Sequence, residues 1–151
     1  MATIAVIGPA QATPPELAAA EEVGRLLAAG GHTVVTGGYG GVMEAASRGA
    51  AGTTVVGILS GTDKAGANPH VTVAIPTGMG EMRNALIVRA ADAVISVGGS
   101  WGTLSEVALA VRTGVTLVTL GGWDLPPGPV VVQSPQEAVA EALAAAAARD
   151  R

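Results

Sequence analysis

The sequence repeats one order of elements: a short apolar run, then a turn rich in glycine or polar residues, then a longer helical pattern. Runs such as Thr3–Ile7 and Ala93–Val97 lack the alternation of apolar and polar residues typical of a strand with one face in water. They suit strands covered on both faces, and strand–helix alternation implies parallel strands with right-handed crossovers. We therefore predict one Rossmann-like, doubly wound α/β domain over residues 1–151, with a mostly parallel sheet and helices on both faces.

The same patterns give approximate element bounds. Seven runs are predicted strands: Thr3–Ile7, His32–Thr36, Thr53–Leu59, Val71–Ile75, Ala93–Val97, Val115–Leu120 and Val130–Val132. Five segments are predicted helices: Glu16–Ala29, Val42–Ala51, Glu81–Ala90, Thr103–Arg112 and Pro135–Arg149. Two helix starts, at Thr13 and Ser134, combine a capping side chain, a proline in the first turn and a glutamate three residues after the cap.

Composition narrows the classes of function. Hydrophobic residues make up 49% and aromatic residues 2% of the chain, with no Phe, so the core must be aliphatic. No apolar run approaches the roughly 20 residues of a membrane-spanning helix, and the first residues lack the basic start of a signal peptide. We therefore expect a cytoplasmic protein without a membrane partner.

Two further classes of site are disfavoured by the residues present. The chain has no Cys, and His32 and His70 stand far apart, so we expect no metal site. The net charge is −4, and the eight Lys and Arg residues are scattered, whereas a phosphate backbone is bound by clustered basic residues. Nucleic acid is therefore not an expected partner.

Two glycine-rich turns are the main functional signal. Gly37, Gly38, Gly40 and Gly41 surround Tyr39 after one predicted strand, and Gly98 to Thr103 follow another. Ligands of open parallel sheets bind outside the carboxyl ends of the strands. Glycine allows close approach, and a helix N-terminus presents unpaired N–H groups to an anion. The turns therefore predict a phosphate site built from Gly37, Gly38, Gly40, Gly41, Gly98, Gly99, Ser100, Gly102 and Thr103, although glycines in turns also serve purely structural roles.

Other nucleotide motifs are absent. Neither turn has the GxxxxGK[ST] pattern of an NTP hydrolase, and neither fits the GxGxxG pattern of a dinucleotide-binding domain. A plain NAD-binding domain is therefore disfavoured.

Four segments resemble a known superfamily. They begin at Gly37 (GGYGGVMEAA), Pro76 (PTGMGEMRN), Ala91 (ADAV) and Gly98 (GGSWGTLSE), and together they resemble the Lonely Guy-like proteins, also called lysine decarboxylase-like or SLOG. The second and fourth segments are most similar to the branch of molybdenum cofactor carrier proteins. The resemblance implies a small phosphorylated ligand, either molybdenum cofactor or a nucleoside monophosphate, and a homodimer or homotetramer.

The resemblance also implies a catalytic pair. Phosphoribohydrolases of this superfamily use a glutamate with an arginine from the preceding segment, and the matching residues here are Glu106 and Arg83. A carboxylate beside the ribose and a cation or acid near the leaving base suit cleavage of an N-glycosidic bond. Asn84 would help to hold the ligand. The alternative for Glu106 is a capping box with Thr103, and for Arg83 it is a surface salt bridge with Glu81 or Asp92.

The sequence departs from the hydrolase pattern at three positions. Gly98 replaces a proline, Ser100 replaces a glycine, and Ser105 replaces the first glutamate of a usual pair. The lost carboxylate weakens the hydrolase interpretation, whereas backbone N–H groups would still bind phosphate. Two functions therefore remain: a carrier of a phosphorylated, nucleotide-like ligand, which we favour, and a hydrolase that releases free base and ribose 5-phosphate.

Three further side chains have open interpretations. Trp101 and Tyr39 lie in the two glycine turns and either stack on a ligand ring or cover neighbouring elements. Trp123 is expected to serve packing or a subunit contact. The polar segment that holds Asp63, Lys64 and His70 is expected to be a solvated loop, with a flap over the site as the alternative.

Overall fold

A computed structural model describes residues 1–150. Its seven strands form one sheet in the order β4-β3-β2-β1-β5-β6-β7, and every neighbouring pair is parallel. The Rossmann-like α/β fold is thus confirmed, with a sheet that is entirely rather than mostly parallel. No helix within residues 1–150 is long and apolar enough to cross a membrane.

Most element bounds lie within three residues of the predicted ones. The strands are β1 (Thr3–Ile7), β2 (Thr33–Thr36), β3 (Val55–Leu59), β4 (Val73–Pro76), β5 (Ala93–Val97), β6 (Thr116–Leu120) and β7 (Val130–Val132). The helices are α1 (Pro14–Ala29), α2 (Val42–Gly49), α3 (Asn84–Ala90), α4 (Trp101–Thr113) and α5 (Pro135–Arg149), with a short 3-10 helix at Gly80–Arg83 before α3.

The core has two layers, one on each face of the sheet. Side chains of Ile4 and Val6 pack with α1, α2 and α5 on one face, whereas Ala5 and Ile7 pack with α3 and α4 on the other. Because successive strand residues point to opposite faces, a strand covered on both sides must be apolar at every position. This explains why the strands read as continuous apolar runs.

Both proline-containing helix starts are confirmed. The Thr13 side chain accepts a hydrogen bond from the Glu16 N–H, and the Glu16 carboxylate accepts one from the Thr13 N–H, which completes a capping box at α1. Ser134 caps α5 through the Glu137 N–H. The sequence was sufficient to predict these two helix starts, because the hydrogen bonds of each cap join residues only three positions apart.

The strand order creates a crevice at the carboxyl edge. From β1 the chain moves outward through β2, β3 and β4, and then returns to place β5 on the other side of β1. Crossovers on the two sides of such a switch point leave a gap in which ligands of open α/β sheets bind. The turns that follow β1, β2 and β5 therefore meet at this crevice.

Candidate ligand-binding site

The second glycine turn connects β5 to α4. Gly98 has a φ of +68°, a conformation that L side chains rarely adopt, and its N–H donates to the Leu120 carbonyl at 3.0 Å. A Cβ at Gly98 would also collide with the carboxylate of Glu16. This glycine is therefore required by the fold. Glu16, which the sequence predicted only as part of the α1 cap, lies beside it at the edge of the site.

Helix α4 begins two residues earlier than predicted, and this overturns the proposed capping box of Thr103 with Glu106. Ser100 has an extended backbone, and its hydroxyl accepts the Thr103 N–H at 3.2 Å, so Ser100 is the N-cap. The Thr103 hydroxyl bonds to Ser100 Oγ at 2.9 Å and is buried. Glu106 lies in the second turn of α4, where it is too far along the helix to reach the capping residue.

The first glycine turn connects β2 to α2 and contacts the turn after β1. Gly41 has a φ of +65°, and a Cβ there would collide with the carbonyls of Pro9 and Ala10. The Val42 N–H donates to the Pro9 carbonyl at 3.1 Å. No side chain caps α2. The turn after β1 is therefore packed directly against the first glycine turn and helps to shape the site.

Gly40 and Gly102 differ from the glycines around them. Neither has a positive φ, and a Cβ on either would meet no atom closer than 3.9 Å. The fold itself therefore does not require glycine at these two positions. Both lie beside a helix N-terminus at the carboxyl edge, where a small residue leaves room for a ligand to approach the backbone.

Arg83 is buried beneath the first glycine turn, with 9% of its surface exposed. Its Nε donates to the Ile58 carbonyl at 2.8 Å, one terminal nitrogen donates to the Gly37 carbonyl at 3.4 Å, and the other donates to Asn84 Oδ1. The salt bridge with Glu81 or Asp92 that we considered is wrong, since Glu81 is exposed and Asp92 accepts the Thr3 N–H. The guanidinium is instead fixed by neutral oxygen atoms.

Glu106 is buried on the inner side of α4, with 8% of its surface exposed. Burial raises the pKa of its carboxyl group to about 8, and the nearby Arg83 charge only partly opposes this rise. The carboxyl group is therefore mostly protonated at neutral pH. The two predicted residues are near enough for the Arg83 charge to act on the Glu106 pKa, but no salt bridge joins them within residues 1–150.

Asn84 links Arg83 to the first turn of α4. Its Oδ1 accepts from Arg83, and its Nδ2 donates to Ser105 Oγ at 3.0 Å. Ser105 in turn donates to the Gly102 carbonyl at 2.7 Å. The serine that replaces a carboxylate thus completes a neutral hydrogen-bonded chain, which connects the arginine to the second glycine turn.

Residues 60–72, between β3 and β4, cover the first glycine turn. Buried Asn68 donates its backbone N–H to the Gly38 carbonyl at 2.8 Å and its side-chain N–H to the Tyr39 carbonyl at 2.9 Å. The Tyr39 hydroxyl accepts from Ser60 and from the Gly61 N–H. The solvated-loop interpretation therefore holds for exposed Asp63 and Lys64 but is wrong for Asn68. Sequence alone gave no signal for this long-range contact.

Two tryptophans lie beside the second glycine turn. The ring centroids of Trp101 and Trp123 are 5.1 Å apart, at an interplanar angle of 47°. The Trp123 Nε1–H donates to the Ser100 carbonyl at 3.3 Å. The expected packing role of Trp123 is therefore observed. A cavity of about 380 Å³ opens beside it between the ends of β6 and β7.

The fold and site define a class of protein: a parallel α/β domain whose carboxyl edge combines two glycine turns with a buried Arg–Glu pair. The sequence matches the SLOG cluster4 family over residues 1–148, and the chain belongs to this family. The resemblance stated from the sequence motifs is thereby confirmed.

Known proteins resemble the whole chain. An Archaeoglobus fulgidus protein of uncharacterised function is 41% identical over 138 residues, which cover 90% of this chain and 91% of that protein. The molybdenum cofactor binding protein from Rippkaea orientalis is 35% identical, with a TM-score of 0.91 over 95% of this chain and 96% of that one. The molybdenum cofactor carrier protein from Chlamydomonas reinhardtii is 30% identical, with a TM-score of 0.88 over 97% and 98%.

A more distant likeness shows the fold alone. DNA processing protein A from Helicobacter pylori is 19% identical, with a TM-score of 0.77 over 95% of this chain and 80% of that one.

The described residues 1–150 contain no group of three or more His, Asp or Glu side chains that could hold a metal ion.

Proposed function

We propose that this protein binds and carries a small phosphorylated ligand of the molybdenum cofactor kind, with its phosphate held at the carboxyl edge between the two glycine turns. Two relatives that match nearly the whole chain at 30% identity or more are named for binding or carrying this cofactor. The ligand is cargo in this proposal, so the site must recognise and protect it rather than transform it.

The observation that carries the proposal is the open space at Gly40 and Gly102. Each position lacks a side chain although the fold leaves room for one. At α4 the first intrahelical hydrogen bond runs from the Leu104 N–H to the Ser100 carbonyl. The N–H groups of Trp101 and Gly102 precede it and point out of the helix end, where they suit a phosphate.

Electrostatics favour an anion at the same place. The Glu106 carboxyl group near Arg83 is mostly uncharged at neutral pH because burial raises its pKa. The arginine is therefore not neutralised by its acidic neighbour. Together with the partial positive charge of the helix N-termini, it attracts phosphate, whereas the Glu16 carboxylate beside Gly98 opposes part of this attraction.

The proposal is tested by Gly102→Ala. The added methyl group would occupy the space that the phosphate needs, so we expect at least a tenfold weaker affinity for molybdenum cofactor and for AMP by anaerobic titration calorimetry. The same change should raise the free energy of unfolding by about 0.4–1 kcal/mol, because alanine restricts the unfolded chain and favours a helix.

Ala108→Gly is the matched control. Ala108 is an exposed residue of the same helix, and its replacement should lower stability without changing affinity. If Gly102→Ala left the affinity of every ligand unchanged, the assignment of phosphate to this turn would be wrong.

A second function is favoured by the proximity of Arg83 and Glu106. A protonated carboxyl group and a cation beside a bound nucleoside monophosphate suit protonation of the leaving base during N-glycosidic hydrolysis. In that case AMP incubated with the protein should yield free adenine and ribose 5-phosphate, and Glu106→Gln should abolish this release while retaining binding. If the unmodified protein bound AMP without releasing base, the hydrolase function would be wrong and the carrier function would remain.

A further inference from the structure

The aromatic residues of this protein are all at one edge. The chain contains two Trp, one Tyr and no Phe. Tyr39 lies in the first glycine turn, Trp101 begins α4 directly after the second, and Trp123 follows β6. The core is made of Val, Ile, Leu and Ala. Large rings are ordinarily major contributors to core packing, so their placement at the ligand edge requires a different explanation.

Trp123 is held firmly against the second glycine turn. Its indole N–H donates to the Ser100 carbonyl at 3.3 Å. Its ring also fills the space beside Gly99, since a Cβ on Gly99 would come within 2.7 Å of Trp123 Cδ1. A side chain at Gly99 would therefore require the Trp123 ring to shift.

Trp101 is supported by Trp123 but is otherwise open. The two rings are in tilted contact with centroids 5.1 Å apart, and yet 78% of the Trp101 surface is exposed. This residue is also the first of α4, next to Gly102 and to the N–H groups assigned to the phosphate. A large apolar ring is thus kept in water within one residue of the proposed anion site.

Tyr39 is not available for the same role. Its ring lies 5.8 Å from the Arg83 guanidinium, its hydroxyl bonds to Ser60 and Gly61, and Gly66 closes against its edge. These contacts use the ring to hold residues 60–72 in place. Of the three aromatic rings at this edge, Trp101 has the largest exposed surface and is the one available to a ligand.

We propose that Trp101, braced by Trp123, is the platform on which the flat heterocyclic ring of the ligand stacks while its phosphate is held at the start of α4. The inference rests on the proposed phosphate site and adds the recognition of the ring. Pterins and purines fit this chemistry, because a planar π-system gains by stacking on an indole. A sugar phosphate without a ring gains nothing from it.

The experiment compares ligands with and without a ring. Affinities of the full chain would be measured by titration calorimetry for GMP, for 6-hydroxymethylpterin phosphate and for ribose 5-phosphate. We expect Trp101→Leu to weaken the two ring-bearing ligands by about tenfold, equivalent to about 1.4 kcal/mol at 25 °C, and to change ribose 5-phosphate by less than twofold. Trp101→Phe should restore most of the loss, and Trp123→Leu should give a smaller loss than Trp101→Leu.

Val111→Thr is the matched control, because it changes another exposed apolar residue of α4 and should leave all affinities unchanged. Equal affinity of Trp101→Leu and the unmodified protein for both ring-bearing ligands would overturn the platform while leaving the phosphate site intact. Equal losses for all three ligands would also overturn it, since the change would then act through the phosphate. If none of the ligands bound the unmodified protein, the proposed function and this inference would both be wrong.

Discussion

The carboxyl group of Glu106 shows how one buried residue can set both the stability and the charge of the site. Its pKa is about 8 in the folded protein and 4.5 as the ordinary value, because burial disfavours the ionised form more than Arg83 favours it. The folded state therefore binds more protons than the unfolded state between these two pH values. Stability contributed by the neutral carboxyl group is present below pH 4.5 and is lost as the pH rises through about 8.

We therefore expect the unmodified protein to lose stability relative to Glu106→Gln as the pH rises from 5 to 9. The slope should approach 1.4 kcal/mol per pH unit at most, and chemical denaturation at several pH values would measure it. Glu141→Gln, which alters an exposed carboxyl group on α5, should run parallel to the unmodified protein. If the free energy of unfolding of Glu106→Gln also ran parallel to that of the unmodified protein, Glu106 would be ionised at neutral pH in the folded state.

Some residue assignments could be made from sequence and others could not. Arg83, Asn84 and Glu106 were found through motif resemblance, and the structure places them close together, although their roles in binding or catalysis stay predictions. The contacts of Asn68 with Gly38 and of Glu16 with Gly98 were not predicted, because they join positions about 30 and 80 residues apart. A short-range pattern carries no information about contacts of that kind.

At the scale of elements, the start of α4 determines the geometry of the second turn. The sequence indicated a start at Thr103, where a capping box of Thr103 with Glu106 was one interpretation of the segment. The structure begins the helix at Trp101, since Ser100 has the extended backbone and the hydroxyl acceptor of an N-cap. Helix ends are decided by such local hydrogen bonds, whereas strand bounds such as Ala93–Val97 follow directly from burial.

Ser100→Ala should therefore destabilise the protein by about 0.5–2 kcal/mol, as the loss of an N-cap typically does. Ser134→Ala removes the equivalent cap of α5, far from the glycine turns in sequence, and should cost a similar amount. Urea denaturation would measure both costs. Only Ser100→Ala should also weaken the binding of inorganic phosphate, because without the cap the N–H groups of Trp101 and Gly102 would no longer be held in a fixed position. An unchanged stability of Ser100→Ala would contradict the capping role.

At the scale of the whole molecule, the strand order concentrates the site at one edge of the sheet. The turns after β1, β2 and β5 converge there because β1 and β5 are neighbours at the switch point. A Cβ on Gly8 would come within 2.4 Å of the Val97 carbonyl, which shows how closely the first and fifth strands end together. The opposite edge carries the segments that lead into the strands.

Ligand binding should therefore protect amide hydrogens at one edge only. With AMP or molybdenum cofactor in excess, we expect slower hydrogen exchange at residues 37–43 and 98–104, and unchanged exchange at the amino edge, in residues 50–54 and 113–115. Hydrogen exchange followed by mass spectrometry would measure this. Equal protection at both edges would instead indicate global stabilisation without a localised site.

The single domain over residues 1–151 and the homodimer or homotetramer implied by the family resemblance stay predictions. An apolar groove between α4 and the segment after β6 is lined by Leu104, Val107, Val111, Leu125 and Pro126, with Val111 nearly half exposed. Small and aliphatic side chains of this kind are compatible with a subunit contact.

The confinement of aromatic rings to the carboxyl edge has an optical consequence. The aliphatic core contributes almost no near-ultraviolet signal, so absorption and circular dichroism near 280 nm, and indole emission, report on the surroundings of Trp101, Trp123 and Tyr39 alone. The secondary structure is reported separately by far-ultraviolet circular dichroism. Spectroscopy of this protein therefore separates opening of the two turns from melting of the sheet without any introduced label.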